Sequence, residues 1–256
     1  MNDAVIKNIR ENTPLIHHLT NQVVMNFTAN GLLAFGGAPV MAKAIDEASD
    51  MAAIADGILI NIGTLTQADL KAMILAGKTA NNRGIPVILD PVGVAATKFR
   101  GEAVRQILKE VKPAVIKGNA GELAYLVNIP WNTKGIESVG DGRTDEIAYE
   151  VAKTFHTAAV VTGKKDIICT GNNLIESNTG HVYLTKITGA GCLLGSILTA
   201  CLTTDHSLEE QLLTGIHFYG SAAEYAARQP LVNGTGTFLP QFLDALSLTM
   251  EQLEEK

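Results

Sequence analysis

Aromatic residues are scarce, at 5% of the chain with a single tryptophan, Trp131. A core here cannot be organised around a few large rings, so Ala, Val, Ile, Leu and Gly must fill it. There are three cysteines, Cys169, Cys192 and Cys201. They are odd in number and lack metal-ligand spacing, which reads most simply as free thiols in a cytoplasmic protein. Positive charge is not in excess. The net charge is −6 with no basic stripe, so the electrostatic footprint of a nucleic-acid binder is missing. No apolar run reaches the roughly 18 residues that cross a bilayer. The opening stretch MNDAVIKNIRENTPL carries charges throughout, where a signal peptide needs an apolar centre. Repeats, low-complexity tracts and charge blocks are absent as well.

What is present is apolar and rich in glycine: 46% hydrophobic residues against 18% charged, with 24 glycines. Short apolar runs read as strands at Pro14–Leu19, Pro39–Met41, Gly57–Ile60, Pro86–Leu89, Ala114–Ile116, Ala158–Val161 and Ile167–Thr170. Several, such as Pro86-Val87-Ile88-Leu89, are unbroken by polar residues, the pattern of parallel strands covered on both faces. Helical patterns lie between them, near Asn21–Phe35, Thr66–Asn82, Gly101–Val111, Ala120–Leu126 and Thr144–His156. In the last third a β segment, His181–Ile187, is expected to lead into Gly-Ala-Gly-Cys and an apolar helix to about Leu202. Helices near Leu208–Arg228 and Phe238–Glu251 follow. The alternation predicts α/β architecture: a single three-layer α/β/α domain over residues 1–256 with a mostly parallel central sheet.

Ligands of such sheets bind beyond the carboxyl ends of the strands. The residues to weigh are therefore Asn21, Asn61, Asp90, Lys117, Gly118, Asn119, Thr162, Gly163 and the turn Gly189–Cys192. In Thr188-Gly189-Ala190-Gly191-Cys192, two glycines open an apolar helix, and its free N–H groups can make an anion hole. A tight strand-to-helix turn without ligand fits the same letters equally well. A Rossmann fingerprint does not fit, since Gly189, Gly191 and Gly195 are spaced one residue too long and fall late in the chain. A Walker A motif is absent. In Leu89-Asp90-Pro91-Val92-Gly93 the carboxylate after a buried strand can hold Mg²⁺ opposite phosphates, or it can cap a turn. Lys117 can reach a phosphate as a point charge. Asn119 and Glu122 have the spacing of a capping box, which explains both without a ligand. Thr162-Gly163 can serve a nucleotide or form an ordinary turn. His17 and His18 are adjacent on a strand and point to opposite faces, so they cannot share a metal. Met41 suits either core packing or contact with a sulfur heterocycle.

Taken together, Thr-Gly-Ala-Gly-Cys, Leu-Asp-Pro-Val-Gly and Lys-Gly-Asn-Ala-Gly-Glu resemble the ribokinase-like kinases. The N-terminal run His-Leu-Thr-Asn-Gln-Val-Val-Met-Asn-Phe-Thr-Ala-Asn-Gly-Leu-Leu-Ala and the later Pro-Val-Met-Ala look like the hydroxyethylthiazole kinases in particular. The resemblance runs from about Ile16 to the final helices. It implies a ribokinase-like fold and phosphorylation of a thiazole alcohol with ATP as co-substrate and Mg²⁺ as cofactor. Met41, Gly189 and Asn21 are implied to line the thiazole pocket, Lys117 and Thr162 to bind ATP, and Asp90 and Glu122 to serve the metal. The amides of Gly189, Ala190, Gly191 and Cys192 would stabilise the transferring group.

Cys192 stands where most ribokinase-like enzymes have an Asp base, which fits the narrower family. Lys117 stands where the family has Arg, and Gly121 where it has Ser. The second change is expected to loosen the first turn of that helix. The resemblance further implies a homotrimer with active sites between subunits. Competing readings are a hydroxymethylpyrimidine or sugar kinase, a nicotinamide-cofactor repair dehydratase of the same fold, and a non-catalytic binding protein. The first two are expected to carry Asp at position 192.

Overall fold

In the computed structural model of the chain, residues 3–131 and 142–255 are described. Their strands make one eight-stranded sheet: β1 (Leu15–Leu19), β2 (Ala38–Val40), β3 (Gly57–Asn61), β4 (Val87–Asp90), β5 (Val115–Asn119), β6 (Ala158–Thr162), β7 (Asp166–Thr170) and β8 (Asn173–Ser177). The order is β2-β1-β3-β4-β5-β6-β7-β8. The strands from β2 across to β6 are parallel, and β7 and β8 add an antiparallel edge.

Each central strand buries both faces, and its side chains alternate between two cores. One core joins Ile16, Leu59, Ile88 and Val115 of the sheet to α1 (Asp3–Asn12), α2 (Met25–Phe35), α8 (Ala190–Cys201), α9 (Leu208–Ala227), α10 (Thr235–Ala245) and α11 (Met250–Glu254). The other joins Ile58, Ile60, Leu89 and Ile116 to α3 (Ile45–Ile54), α4 (Gln67–Arg83), α5 (Lys98–Glu110), α6 (Ala120–Leu126) and α7 (Gly142–Phe155). A slip of one residue in any strand would turn its apolar set the wrong way, so this alternation fixes the register.

The helix after β1 covers one face and the helix after β3 covers the other. The chain thus reverses its winding between these two neighbouring strands. A crevice opens at their carboxyl ends, where doubly wound sheets bind ligands.

Several boundaries differ from expectation. The segment His181–Ile187 is not a strand. Val182–Lys186 forms a 3-10 turn, with His181 capping the Tyr183 N–H and Thr185 Oγ1 donating to the Val182 carbonyl. The sheet already ends at β8, so this alternating sequence has no strand to pair with. The last expected helix is two, because the chain leaves α10 at Leu246 and Thr249 caps α11 in a capping box with Gln252. The helix expected from Asn21 begins at Met25, which frees Asn21 to turn inward. Three elements have no counterpart in the sequence reading: α1, α3 and β8.

Candidate active site

The site is built where the apolar alternation gives way. On the face toward α8, β3 runs Leu59 then Asn61, β4 runs Ile88 then Asp90, and β5 runs Val115 then Lys117. Asn61 pairs in register with Asp90, and Leu89 with Ile116, so Lys117 is the next step along the same row. Asn61, Asp90 and Lys117 thus form one polar line across three parallel strands, all buried. Asn61 Nδ2 donates to Asp90 Oδ2 at 3.0 Å and Lys117 Nζ donates to the same oxygen at 3.1 Å. Asn21, just past β1, donates through Nδ2 to Asn61 Oδ1 at 3.0 Å, closing the crevice between β1 and β3. Asn61 Oδ1 also accepts from the Gly63 N–H. Its amide is oriented by these neighbours, since a carboxylate can only accept and an N–H can only donate.

The start of α8 lies directly over this line. Gly189 adopts φ 93°, a left-handed conformation that Gly tolerates, and a Cβ there would sit 2.6 Å from Val24 Cγ1. Its carbonyl accepts from the Leu193 N–H at 2.9 Å. The N–H groups of Ala190, Gly191 and Cys192 precede the first intrahelical bond, and they form the positive end of the helix. The two halves are joined by Lys117, whose Nζ donates to the Gly191 carbonyl at 2.9 Å. Further along, a Cβ on Gly195 would approach Asp90 Oδ2 to 3.7 Å. The glycine corner and Asp90 therefore converge on one place. The seat of α8 is pinned by a buried bond between His18 Nε2 and Ser196 Oγ at 2.7 Å. Burial holds the His18 pKa down at about 4, so the ring is neutral. Its Nδ1–H donates to the Ile16 carbonyl, and Ser196 donates to Nε2. His17 faces the opposite way, onto the Ala42 carbonyl.

The electrostatics follow from burial. Desolvation raises the Asp90 pKa to about 6, Lys117 opposes the rise and Glu122 adds to it. Burial alone would lower the Lys117 pKa, but Asp90, Cys192 and Glu122 together lift it above its ordinary value. Cys192 Sγ accepts from Asn61 Nδ2 at 3.2 Å and Asn21 Nδ2 at 3.5 Å. Burial, then the charge of Asp90, pushes its pKa up. The thiol is neutral at physiological pH, an inadequate base for an alcohol.

The structure thus gathers Asn21, Asp90, Lys117 and Gly189–Cys192 into one network. Glu122 belongs to its rim. It completes a capping box with Asn119, with Oε2 accepting from the Asn119 N–H at 2.9 Å, and its Oε1 accepts from the Gly93 N–H at 2.8 Å in the loop after Asp90. Both capping bonds form in spite of Gly121, where a Cβ would come within 3.3 Å of Trp131. Met41 and Thr162 lie at the carboxyl ends of β2 and β6, outside the hydrogen-bonded network, and each is half-buried.

Sequence reasoning gave Asn61 no role beyond its place after a strand, and it missed Arg100 and Tyr219 altogether. Arg100, on α5, donates to the carbonyls of Val92 (2.6 Å), Ile62 (3.3 Å) and Gly63. It ties together the loops that leave β3 and β4. Tyr219, on α9, donates to the Ala190 carbonyl at 2.7 Å.

Comparison with known structures shows that this architecture is the ribokinase-like fold. A ribokinase-like superfamily protein from Enterococcus faecalis superposes with a TM-score of 0.63, covering 96% of this chain and 95% of its own, at 12% identity, which speaks for the fold alone. A hydroxyethylthiazole kinase protein from Pyrococcus horikoshii OT3 gives 0.86 at 36% identity over 95% of this chain and 91% of its own. The profile of the hydroxyethylthiazole kinase family matches residues 6–252. A protein of Oceanobacillus iheyensis named hydroxyethylthiazole kinase 1 is 60% identical over 251 residues, 98% of either chain. The chain belongs to the hydroxyethylthiazole kinase family.

Proposed function

We propose that the protein transfers the γ-phosphoryl group of ATP to the hydroxyl of 4-methyl-5-(2-hydroxyethyl)thiazole, a salvage step toward thiamine. The observation that carries this reading is the joining of Asp90 and the α8 corner through Lys117, within 3.1 Å of one and 2.9 Å of the other. It places an acid, a cation and an open helix N-terminus around one spot, in a chain of this family.

In this reading Asn21, Met41 and Gly189 hold the thiazole at the β1–β3 crevice. Thr162 and the free donor of the Lys117 ammonium meet the nucleotide. The N–H groups of Ala190, Gly191 and Cys192 face the phosphoryl oxygens, whose charge spreads as the transfer proceeds. Positioning and electrostatics carry most of the acceleration. Cys192 is neutral and held by two amides, so it orients the alcohol more than it takes its proton.

The residues fit a divalent cation. Asp90 Oδ1 is buried and accepts no hydrogen bond among the described residues. Glu122 adds its charge from the rim, although both its oxygens already accept backbone N–H groups. No cluster of three His, Cys, Asp or Glu occurs among the described residues, so Mg²⁺ would be held by Asp90 and Glu122 jointly with phosphates and water. When bound it supplies charge neutralisation between the phosphates. The reading includes a homotrimer with sites between subunits. Val23 and Leu33 are exposed on the approach to α2 and on α2 itself, beside the edge strand β2, and Met41 is only half-covered by its own chain. A neighbouring copy would complete that wall.

The test is a coupled ADP-release assay with Mg-ATP, offering the thiazole alcohol, hydroxymethylpyrimidine and ribose in parallel. Release with the thiazole alone is expected. Release only with another acceptor overturns the substrate assignment, and a monomer in analytical ultracentrifugation overturns the trimer.

A further inference from the structure

We infer that Tyr219 is a positioning residue that aims the anion hole from behind, in parallel with the nucleotide-contacting Lys117, each gripping one of the peptide units that present its N–H groups. The inference rests on the kinase reading of the site.

A peptide unit is planar and trans, so its C=O and N–H point in opposite directions and move together. The unit between Ala190 and Gly191 carries the Ala190 carbonyl at one end and the Gly191 N–H at the other. Tyr219 Oη donates to that carbonyl at 2.7 Å. The next unit carries the Gly191 carbonyl and the Cys192 N–H, and Lys117 Nζ donates to that carbonyl at 2.9 Å. Two of the three N–H groups that would meet a phosphoryl group, those of Gly191 and Cys192, are thus each fixed through the far end of their own amide, by donors on α9 and β5. A donor on the carbonyl also draws electron density from the amide and strengthens its N–H as a donor. The ammonium, being charged, does this more strongly than a phenol.

Both grips are built to be permanent. Tyr219 is 4% exposed. Its ring packs edge-on to Phe242, with centroids 5.0 Å apart at 87°, and Phe242 stacks on Phe238 at 5.5 Å. The ring therefore cannot swing away, and burial keeps the phenol protonated. At the other grip, Lys117 is locked by Asp90, and a Cβ on Gly191 would lie 3.3 Å from its Nζ. Glycine at 191 lets the ammonium come this close.

The variant Tyr219→Phe keeps the ring and removes only the donor. Steady-state kinetics should show kcat reduced about fivefold to tenfold, the value of one neutral hydrogen bond, with KM for ATP and for the alcohol within about twofold. Affinity for ADP with aluminium fluoride and the alcohol, which mimics the transferring group, should fall by the same factor. Affinity for a non-hydrolysable ATP analogue should stay constant. A role in helix packing alone would leave kcat and the mimic untouched, and a kcat equal to wild type overturns the inference. So does an equal loss of affinity for the mimic and the ATP analogue. Wild-type turnover of the thiazole alcohol is the control. If it is absent, the reading of the site fails and the inference with it; if it is present while Tyr219→Phe matches wild type, the inference alone fails.

Discussion

Gly189 and Gly191 stand two residues apart in one turn, yet the structure assigns them different physical reasons, and alanine at each position separates them. At Gly189 the backbone is left-handed, with φ 93°, which costs an L-residue about 1–2 kcal/mol. The added Cβ would also sit 2.6 Å from Val24 Cγ1 and 3.2 Å from Phe27 Cδ1, at the start of α2. Overpacking of this kind costs about 1–3 kcal/mol. Together these give a loss of about 2–5 kcal/mol, which for a chain approaching this size lowers Tm by about 5–15 °C. At Gly191 the backbone is helical and, among the described residues beyond its own helical turn, the only atom within 4 Å of an added Cβ is Lys117 Nζ at 3.3 Å. Alanine is the better helix former by about 1 kcal/mol, so stability should change by no more than about 1 kcal/mol. In the proposed reading activity should fall all the same, because the methyl crowds the Lys117 ammonium on the Gly191 carbonyl, beside the proposed phosphate site. Thermal unfolding followed by circular dichroism, with ADP release on the same samples, reads both quantities. Gly189→Ala with a wild-type Tm would refute the packing argument, and Gly191→Ala with wild-type kcat would refute the placement of phosphate.

Cys192→Ala should retain measurable turnover, with a loss of no more than about 10²-fold, and Cys192→Asp should retain or raise it because the Asn21 and Asn61 amides can hold a carboxylate. Complete loss in a folded Cys192→Ala protein contradicts the minor role of the thiol. Asp90, with its pKa pushed up to about 6 by burial, predicts that kcat/KM of the free enzyme falls as pH drops through about 6. The folded state binds this proton more tightly than the unfolded chain, so ionisation of Asp90 opposes folding above that pH and acidification toward about 4 costs no stability through this group. A folded circular dichroism spectrum with a falling rate is expected, and a flat profile down to about pH 5 counts against it. Arg100→Met removes a cation that serves carbonyls of two loops, and should cost about 2–4 kcal/mol in urea unfolding together with a lower kcat/KM. A change below about 0.5 kcal/mol would show the clamp to be idle.

Much of the frame was legible because burial writes itself into composition. The runs at β3 and β4 are continuous and apolar, as strands covered on both faces must be, and the helices from α4 to α7 carry strong periodicity or caps. The polar row was also within reach. Asn61, Asp90 and Lys117 each follow an apolar residue two positions earlier on one face, and only the parallel register was needed to align them. Other parts left little trace. The stripe that α3 buries is made of Ala48 and Ala52, too small to stand out against its exposed Ile45 and Ile54. Strand β8 is mostly exposed and pairs only at the edge. The alternation at His181–Ile187 imitates a strand, but a strand needs a neighbour, and no local pattern reports whether one is there. Arg100 and Tyr219 act on backbone carbonyls far away in sequence, and such partners depend on tertiary geometry rather than on spacing. That also explains why Lys117 was read as reaching only toward phosphate, when its ammonium also holds Asp90 and the Gly191 carbonyl.

The row beneath α8 is expensive. Lys117 and Asp90 are 3% and 1% exposed, and desolvating two charges in this way can outweigh their attraction. A pair of apolar side chains would fill the same space with less penalty, so stability does not account for the ion pair. What apolar residues cannot do is hold a cation against the Gly191 carbonyl, or leave a buried carboxylate oxygen without a donor. The cost falls on the three residues where apolar strands end beneath the glycine corner, while the strand interiors on either side supply the burial that offsets it. A site arranged this way is rigid before any ligand arrives, as electrostatic stabilisation of a transferring group requires.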